Sequence, residues 1–192
     1  MIEIDRGFPT TDRARAASLF WEAFEGKLGF SLGPRAKALR FLEDQMRSLF
    51  AFSAYEGDEL LGRVGFKTHE GGLVGGEYRD LAQIYGYFGA AWRGAILSIF
   101  ERDLAAGQLL LDGIFVSERA RGRGIGTALL DAVEEFAIFE MYEEIRLDVI
   151  DTNPKARALY ARRGFIATGT SKTGPLKPLL GFGSATTMVR RL

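Results

Sequence analysis

One stretch, residues 108 to 150, limits the folds open to this chain more than any other. It opens on QLLLDGIFV, Gln108 to Val116, a run apolar enough for a central strand covered on both faces. Beyond a turn, apolar residues recur at 125, 128, 129, 132, 133, 136 and 137, the spacing of a helix over Ile125 to Glu140 that buries one face. Ile145 to Ile150 then alternates as IRLDVI, the period of a strand. Strand, helix and strand in this order predict a right-handed parallel crossover, and with it a chain of mixed α/β (α+β) class.

The turn inside that unit is RGRGIGT, Arg121 to Thr127, placed where the helix begins. A helix start presents unpaired N–H groups and the positive end of the helix dipole. Gly122, Gly124 and Gly126 let the backbone come close to an anion and aim successive amides at it, and Arg121 and Arg123 add charge suited to a diphosphate. The plainer reading is a glycine-rich turn with exposed arginines. A dinucleotide fingerprint fits poorly, because Ser117 to Ala120 separate the strand from the glycines and position 127 is Thr. A nucleoside-triphosphate loop needs four residues between its glycines followed by Lys-Ser or Lys-Thr, which this stretch lacks.

Around this unit the chain reads as a first strand at Ile2 and Ile4, a helix capped within Thr10 to Asp12, and a second helix after Gly33-Pro34 that ends near Phe50. Leu49 to Tyr55 and Leu60 to Thr68 flank a Gly-containing turn as a hairpin. Tyr78 to Leu104 reads as helix, although Gly86, Gly89 and Gly94 weaken it. Its aromatics are read first as core, with a pocket wall or a subunit contact as alternatives. Asn153-Pro154 opens a last helix that Arg163-Gly164 closes. Final strands at Phe165 to Thr168 and Thr186 to Val189 are joined by a loop from Gly169 to Gly183.

Length and composition bound the function. A chain of 192 residues is expected to form one domain, 1–192, with its core unit at 108–165. Twenty-five basic residues balance twenty-five acidic ones, so no overall charge directs it to nucleic acid or to an anionic membrane. With no cysteine and a single histidine, His69, thiolate and multi-histidine metal sites are excluded. The absence of cysteine and of a secretory start makes the cytoplasm the expected location. The most apolar stretch, Leu81 to Phe100, carries Arg93 and three glycines and falls short of a spanning helix.

VSERARGRGIGTALL followed by DTNPKARALYARRGF resembles the Gcn5-related N-acetyltransferase (GNAT) superfamily, whose signature is Arg or Gln, two residues, Gly, one residue, Gly or Ala. Arg121, Gly124 and Gly126 fill that pattern, and the likeness is firm from Leu109 to Phe165. It implies a GNAT-type fold: a central, mixed and mostly antiparallel sheet of six to seven strands flanked by helices, with a parallel β-α-β cofactor unit. It also implies acetyl-CoA as acyl donor, with no metal, and an amine on a small molecule or a peptide as acceptor. The pyrophosphate of coenzyme A would lie on Arg121, Gly122, Arg123, Gly124, Ile125, Gly126 and Thr127. The pantetheine arm would pair with the backbone of Ile114, Phe115 and Val116, whose side chains read equally as core.

By the same resemblance Asn153 contacts the pantetheine arm, while its own position reads as a helix N-cap; the two roles are compatible. Tyr160 stands where the family places the tyrosine that protonates the departing thiolate, against the simpler reading of a packed aromatic. Asp112 is the candidate base, subject to where a bulge at Gly113 would point it. Asp148 and Asp151 read as turn or cap residues, and Glu134, Glu135 and Glu140 as a solvated helix face. Two further readings stand beside the enzyme: a non-catalytic acyl-CoA-binding or sensor domain of the same fold, and a homodimer built on the aromatic segment from Tyr78 to Phe100. The acceptor pocket would come from the N-terminal helices, the segment before the central strand and the loop between the final strands. The balanced charge slightly favours a small or partly apolar amine.

Overall fold

The computed structural model describes residues 1–98 and 103–192. Strand β1 (Ile2–Arg6) leads through a 3-10 turn at Thr10–Asp12 into helices α1 (Arg13–Leu32) and α2 (Arg35–Gln45). β2 (Ala51–Glu56) and β3 (Glu59–Thr68) form the expected hairpin, turned at Gly57 with φ 58°. Next come the two-residue β4 (Gly71–Gly72), α3 (Tyr78–Leu97), β5 (Gln108–Val116), α4 (Ile125–Phe139) and β6 (Glu144–Ile150). The chain closes with α5 (Pro154–Arg162), β7 (Ile166–Lys172), the short α6 (Lys177–Leu180) and β8 (Ser184–Arg191).

The strands join in the order β1-β2-β3-β5-β6-β8-β7, with β4 attached to β3. Seven strands make the main path, as expected, and β4 adds an eighth. Among the described strands only β5 and β6 run parallel, and α4 is the crossover between them. Every other described pairing is antiparallel.

Each sheet face carries its own core. Leu129, Val133 and Ala137 of α4 pack against Phe52, Phe66, Leu109, Leu111, Ile145 and Leu147 on one face, joined by Tyr160 of α5. The opposite face is covered by α1, α2 and α3 through Ala16, Trp21, Phe41, Leu42 and Tyr85, with Phe115 of β5 beneath them. Leu129 is wholly buried. Leu129→Ala is therefore expected to cost about 2–5 kcal/mol, read as a lowered urea midpoint at unchanged m-value. Among the described residues no helix is long and apolar enough to cross a membrane.

Several expectations need correction. The third helix stops at Leu97, and Asp103 to Ala105 lie outside any helix; the expected part over 99–102 falls outside the described residues. Gly86, at φ 72° and ψ 164°, divides α3 into two helical pieces, because only glycine takes that backbone conformation without strain. Its apolar residues divide too: Leu81 and Tyr85 are core, whereas Tyr87 and Phe88 are 77% and 94% exposed.

The expected loop at 169–183 is partly strand, since β7 runs on to Lys172 by pairing with β8 across a bulge beside Gly169. Asp12 makes no side-chain cap for α1. Its carboxylate instead accepts a hydrogen bond of 2.8 Å from the Tyr55 hydroxyl, a tertiary partner invisible to local pattern. Nearby, Arg63 of β3 is completely buried, donating from Nε to Ser53 Oγ at 2.8 Å with its guanidinium 3.7 Å from the Phe8 ring centroid. This cluster ties the start of α1 to the hairpin.

Candidate functional site

After β5 the chain makes a 3-10 turn at Glu118–Ala120 and enters the glycine-rich segment. Gly122 and Gly124 have φ 78° and 79°, the left-handed region, which costs a side-chain-bearing residue about 1–2 kcal/mol. Gly124 is the N-cap of α4, and no side chain caps that helix. The amides of Gly122, Arg123, Gly124, Ile125 and Gly126 donate to no described backbone or side-chain acceptor. Five consecutive N–H groups with no described acceptor, at a helix N-terminus, are groups an anion can accept from.

The remaining members of the segment act differently. Ile125 is buried and anchors the helix, and the Thr127 amide donates to Gly124 O at 3.0 Å and so belongs to the helix. Arg121 pairs with Glu118 at 3.1 Å and Arg123 with Glu56 at 2.7 Å, both on the surface. The Arg123 hydrogen bond holds the Glu56 carboxyl below its usual range. The arginine charge expected at the anion site is thus already compensated, and the backbone amides are the groups left without a described partner.

Upstream, the pairing between β3 and β5 steps from Gly65↔Gly113 to Phe66↔Leu111, leaving Asp112 as the extra residue of a β-bulge. The bulge reverses the alternation of the strand. Leu109 and Leu111 face α4, and so do Ile114 and Val116, while Phe115 faces the α1–α3 side. Gly113 lies under the Phe24 ring, so close that a Cβ would stand 2.4 Å from Cζ.

The bulge also marks where the sheet opens. β5 pairs with β6 only over Gln108–Leu111, opposite Glu144–Leu147, whereas β6 continues to Ile150 on β8 alone. From Asp112 to Val116 the edge of β5 facing β6 therefore has no described strand beside it. At the mouth of this opening three elements meet: a Cβ at Gly126 would be 3.7 Å from Leu159 Cδ2 of α5 and 4.0 Å from Val116 Cγ2 of β5. The strand edge is open to an extended segment, and the amides that follow it in the chain are open to an anion.

Asn153 caps α5, its side-chain oxygen accepting from the Ala156 amide at 3.2 Å with Pro154 in the first turn. Its backbone N–H donates to Ile150 O at 3.0 Å, and its side-chain nitrogen makes no hydrogen bond among the described residues. Tyr160 is buried, with its ring centroid 5.8 Å from that of Phe165. Burial alone pushes its hydroxyl up to about 12.

Tyr55 is likewise raised to about 12, by burial and then by its bond to Asp12, and Tyr85 to about 12 by burial. The folded values lie above the ordinary phenol value of 10.0, so the unfolded chain releases these protons first. The stability they favour is complete below about pH 10 and is lost as pH rises toward 12. Melting temperature is expected to fall steeply across that interval, and Tyr85→Phe to make the fall shallower.

On the α1–α3 face a cavity of about 490 Å³ opens beside the bulge. Phe20, Phe24 and Leu28 of α1, Leu81 of α3 and Leu110 of β5 supply apolar wall, and Asp112 stands at its β5 side. The free strand edge and the cavity thus share one residue, Asp112, which is exposed. The 170–183 segment, expected to contribute, supplies none of the described lining. Asp148 accepts from Thr187 Oγ1 at 2.5 Å, and Asp151 accepts from the Gly183 amide at 3.1 Å, both structural roles. His69, an exposed side chain, lies 3.3 Å from Ala105 O. The N-terminal helices and the segment before β5 line the cavity as expected, with Asp112; the individual residues Phe20, Phe24, Arg47 and Lys67 carry no local signal because packing alone brings them together.

The family model for the acetyltransferase (GNAT) family matches residues 14–165. The chain belongs to that family, and the membership supports acetyl transfer as its general activity. Among solved structures, the chain is similar to an N-acetyltransferase from Staphylococcus aureus Mu50, at 17% identity and TM-score 0.67, covering 98% of this chain and 100% of that one. A GCN5-related N-acetyltransferase from Kribbella flavida matches at 19% identity and TM-score 0.63, over 100% and 98% of the two chains. The ribosomal-protein-S18-alanine N-acetyltransferase from Escherichia coli matches at 15% and 0.58, over 100% and 94%. At these identities the likeness is one of fold. No curated protein sequence matches this chain significantly.

Proposed function

We propose that the chain transfers an acetyl group from acetyl-CoA to a primary amine by direct attack of the amine. The observation that carries this reading is the convergence at Asp112, where the free edge of β5 meets the cavity. When bound, acetyl-CoA supplies the thioester carbonyl that the amine attacks. The amides of Gly122 to Gly126 hold its diphosphate, and the free edge of β5 at Ile114, Phe115 and Val116 takes the pantetheine arm as an added strand. The Asn153 side-chain nitrogen, left over from its capping bond, donates to the same arm. Backbone N–H groups near Phe115 and Val116 polarise the carbonyl, and holding the two reactants together accounts for much of the acceleration.

Asp112 receives the acceptor as an ammonium ion and passes its proton toward solvent before attack. Tyr160 has a narrower task than a full acid. Burial raises the phenol to about 12, so it faces the departing sulfur as a protonated donor. It therefore acts by donating a hydrogen bond to the departing sulfur, which later takes a proton from solvent.

Release of free thiol from acetyl-CoA across a panel of primary amines tests the reading. Asp112→Asn is expected to lower kcat/KM for the amine roughly 10²-fold while leaving acetyl-CoA binding in place. Binding of acetyl-CoA with no acetylation of any amine would instead make the chain a non-catalytic acyl-CoA-binding domain.

A further inference from the structure

Two cations in the cavity wall lack a carboxylate partner among the described residues. The arginines near the glycine-rich turn are all paired, Arg119 with Glu59, Arg121 with Glu118 and Arg123 with Glu56. Arg47 and Lys67, which both line the cavity, form no ion pair among the described residues.

Arg47 is nevertheless held in place. Its amide donates to Leu73 O at 2.8 Å, and its guanidinium lies against the glycine segment. A Cβ at Gly71 would stand 3.0 Å from its Nη1, and one at Gly75 3.0 Å from its Nε. Any side chain at these two glycines would displace the guanidinium. Lys67 is fixed on β3 opposite Leu110 of β5, with its stem against Gly72. A strand of β3 and the loop after α2 therefore present two positive charges to a cavity whose β5 side carries Asp112.

The cavity lining thus carries two cations and two carboxylates, and because Glu77 is engaged in capping α3, Asp112 is the carboxylate placed beside the apolar wall to receive an ammonium. Lys67 and Asp112 stand two register steps apart on neighbouring strands, about 7–8 Å between backbones.

Resting on the acetyl-transfer reading above, we propose that the acceptor is an amino acid with an apolar side chain. Its carboxylate is held by Arg47 and Lys67, its amine lies at Asp112, and its side chain packs among Phe20, Phe24 and Leu81. In the transfer the amine nitrogen forms a bond to the acetyl carbon as the carbon–sulfur bond breaks. The ammonium loses two protons in all, the departing sulfur takes up one, and the other is released to solvent. The same two cations repel polycationic amines, whose extra charges would face Arg47 and Lys67.

The test compares L-phenylalanine and L-leucine with phenethylamine and isoamylamine, which lack only the carboxylate, and with spermidine. Turnover with acetyl-CoA is expected to favour the amino acids at least about 10-fold in kcat/KM. Arg47→Gln and Lys67→Gln should each raise the amino-acid KM about 10-fold or more, leave the acetyl-CoA KM unchanged and erase the preference. Calorimetric binding of L-phenylalanine to the protein without acetyl-CoA gives a readout independent of transfer, and should be weakened by the same variants. Equal or better use of the decarboxylated amines, or variants indifferent to the carboxylate, would overturn the proposal and leave acetyl transfer standing. Failure to bind acetyl-CoA, with L-phenylalanine still bound through Arg47 and Lys67, would instead remove the transfer reading alone.

Discussion

Gly126→Asp should leave the chain folded and weaken acetyl-CoA binding by about 100-fold or more, near 3 kcal/mol. Gly126 has an ordinary helical backbone, and the space beside it accepts a Cβ, 3.7 Å from Leu159. An acidic residue in the first turn of α4 also interacts favourably with the helix dipole, by about 0.3–1 kcal/mol. Melting temperature is thus expected to hold or rise. The new carboxylate would meanwhile occupy the free amides of Gly122 to Gly126 and repel a diphosphate. Calorimetric titration of acetyl-CoA together with a thermal melt reads both effects. Gain of stability with undiminished binding would mean that the diphosphate lies elsewhere.

Tyr160→Phe should lower kcat roughly 10–100-fold, the worth of one hydrogen bond to a charged sulfur, with little change in the KM for acetyl-CoA. The ring, and its contact with Phe165, is retained in the variant, so only the hydroxyl is lost. Because burial holds that hydroxyl at about 12, it stays protonated throughout the neutral range. The residual activity of the variant should therefore follow pH as the native enzyme does below about pH 10. A fall in acetyl-CoA affinity with kcat preserved would assign Tyr160 to packing or to cofactor contact.

The parts of the molecule that were legible in sequence are those whose signal is local. The unit from Gln108 to Ile150 was readable because its strands and helix each repeat their own apolar period, and burial of Leu109, Leu129 and Ile145 follows that period. Asn153 and Pro154 likewise announced a helix start that the structure contains. Gly113 hinted at a bulge, yet only the register with β3 reveals that Asp112 is its extra residue.

What stayed hidden depends on elements distant in sequence. No local pattern places Phe24 of α1 on Gly113 of β5, or Arg47 against Gly71 and Gly75. The raised hydroxyl of Tyr160 follows from packing under the sheet, not from its neighbours in the chain. Arg121 and Arg123 illustrate the reverse error: the charge was read, but their partners Glu118 and Glu56 were not.

The central claim is that one cleft binds acetyl-CoA along β5 and against the amides at the start of α4. Isothermal titration of the intact chain with acetyl-CoA tests it most directly. Saturable binding of one molecule per chain is expected, weakened about 100-fold or more by Gly126→Asp and retained by Asp112→Asn. No binding at millimolar acetyl-CoA, or binding that Gly126→Asp leaves intact, would contradict it.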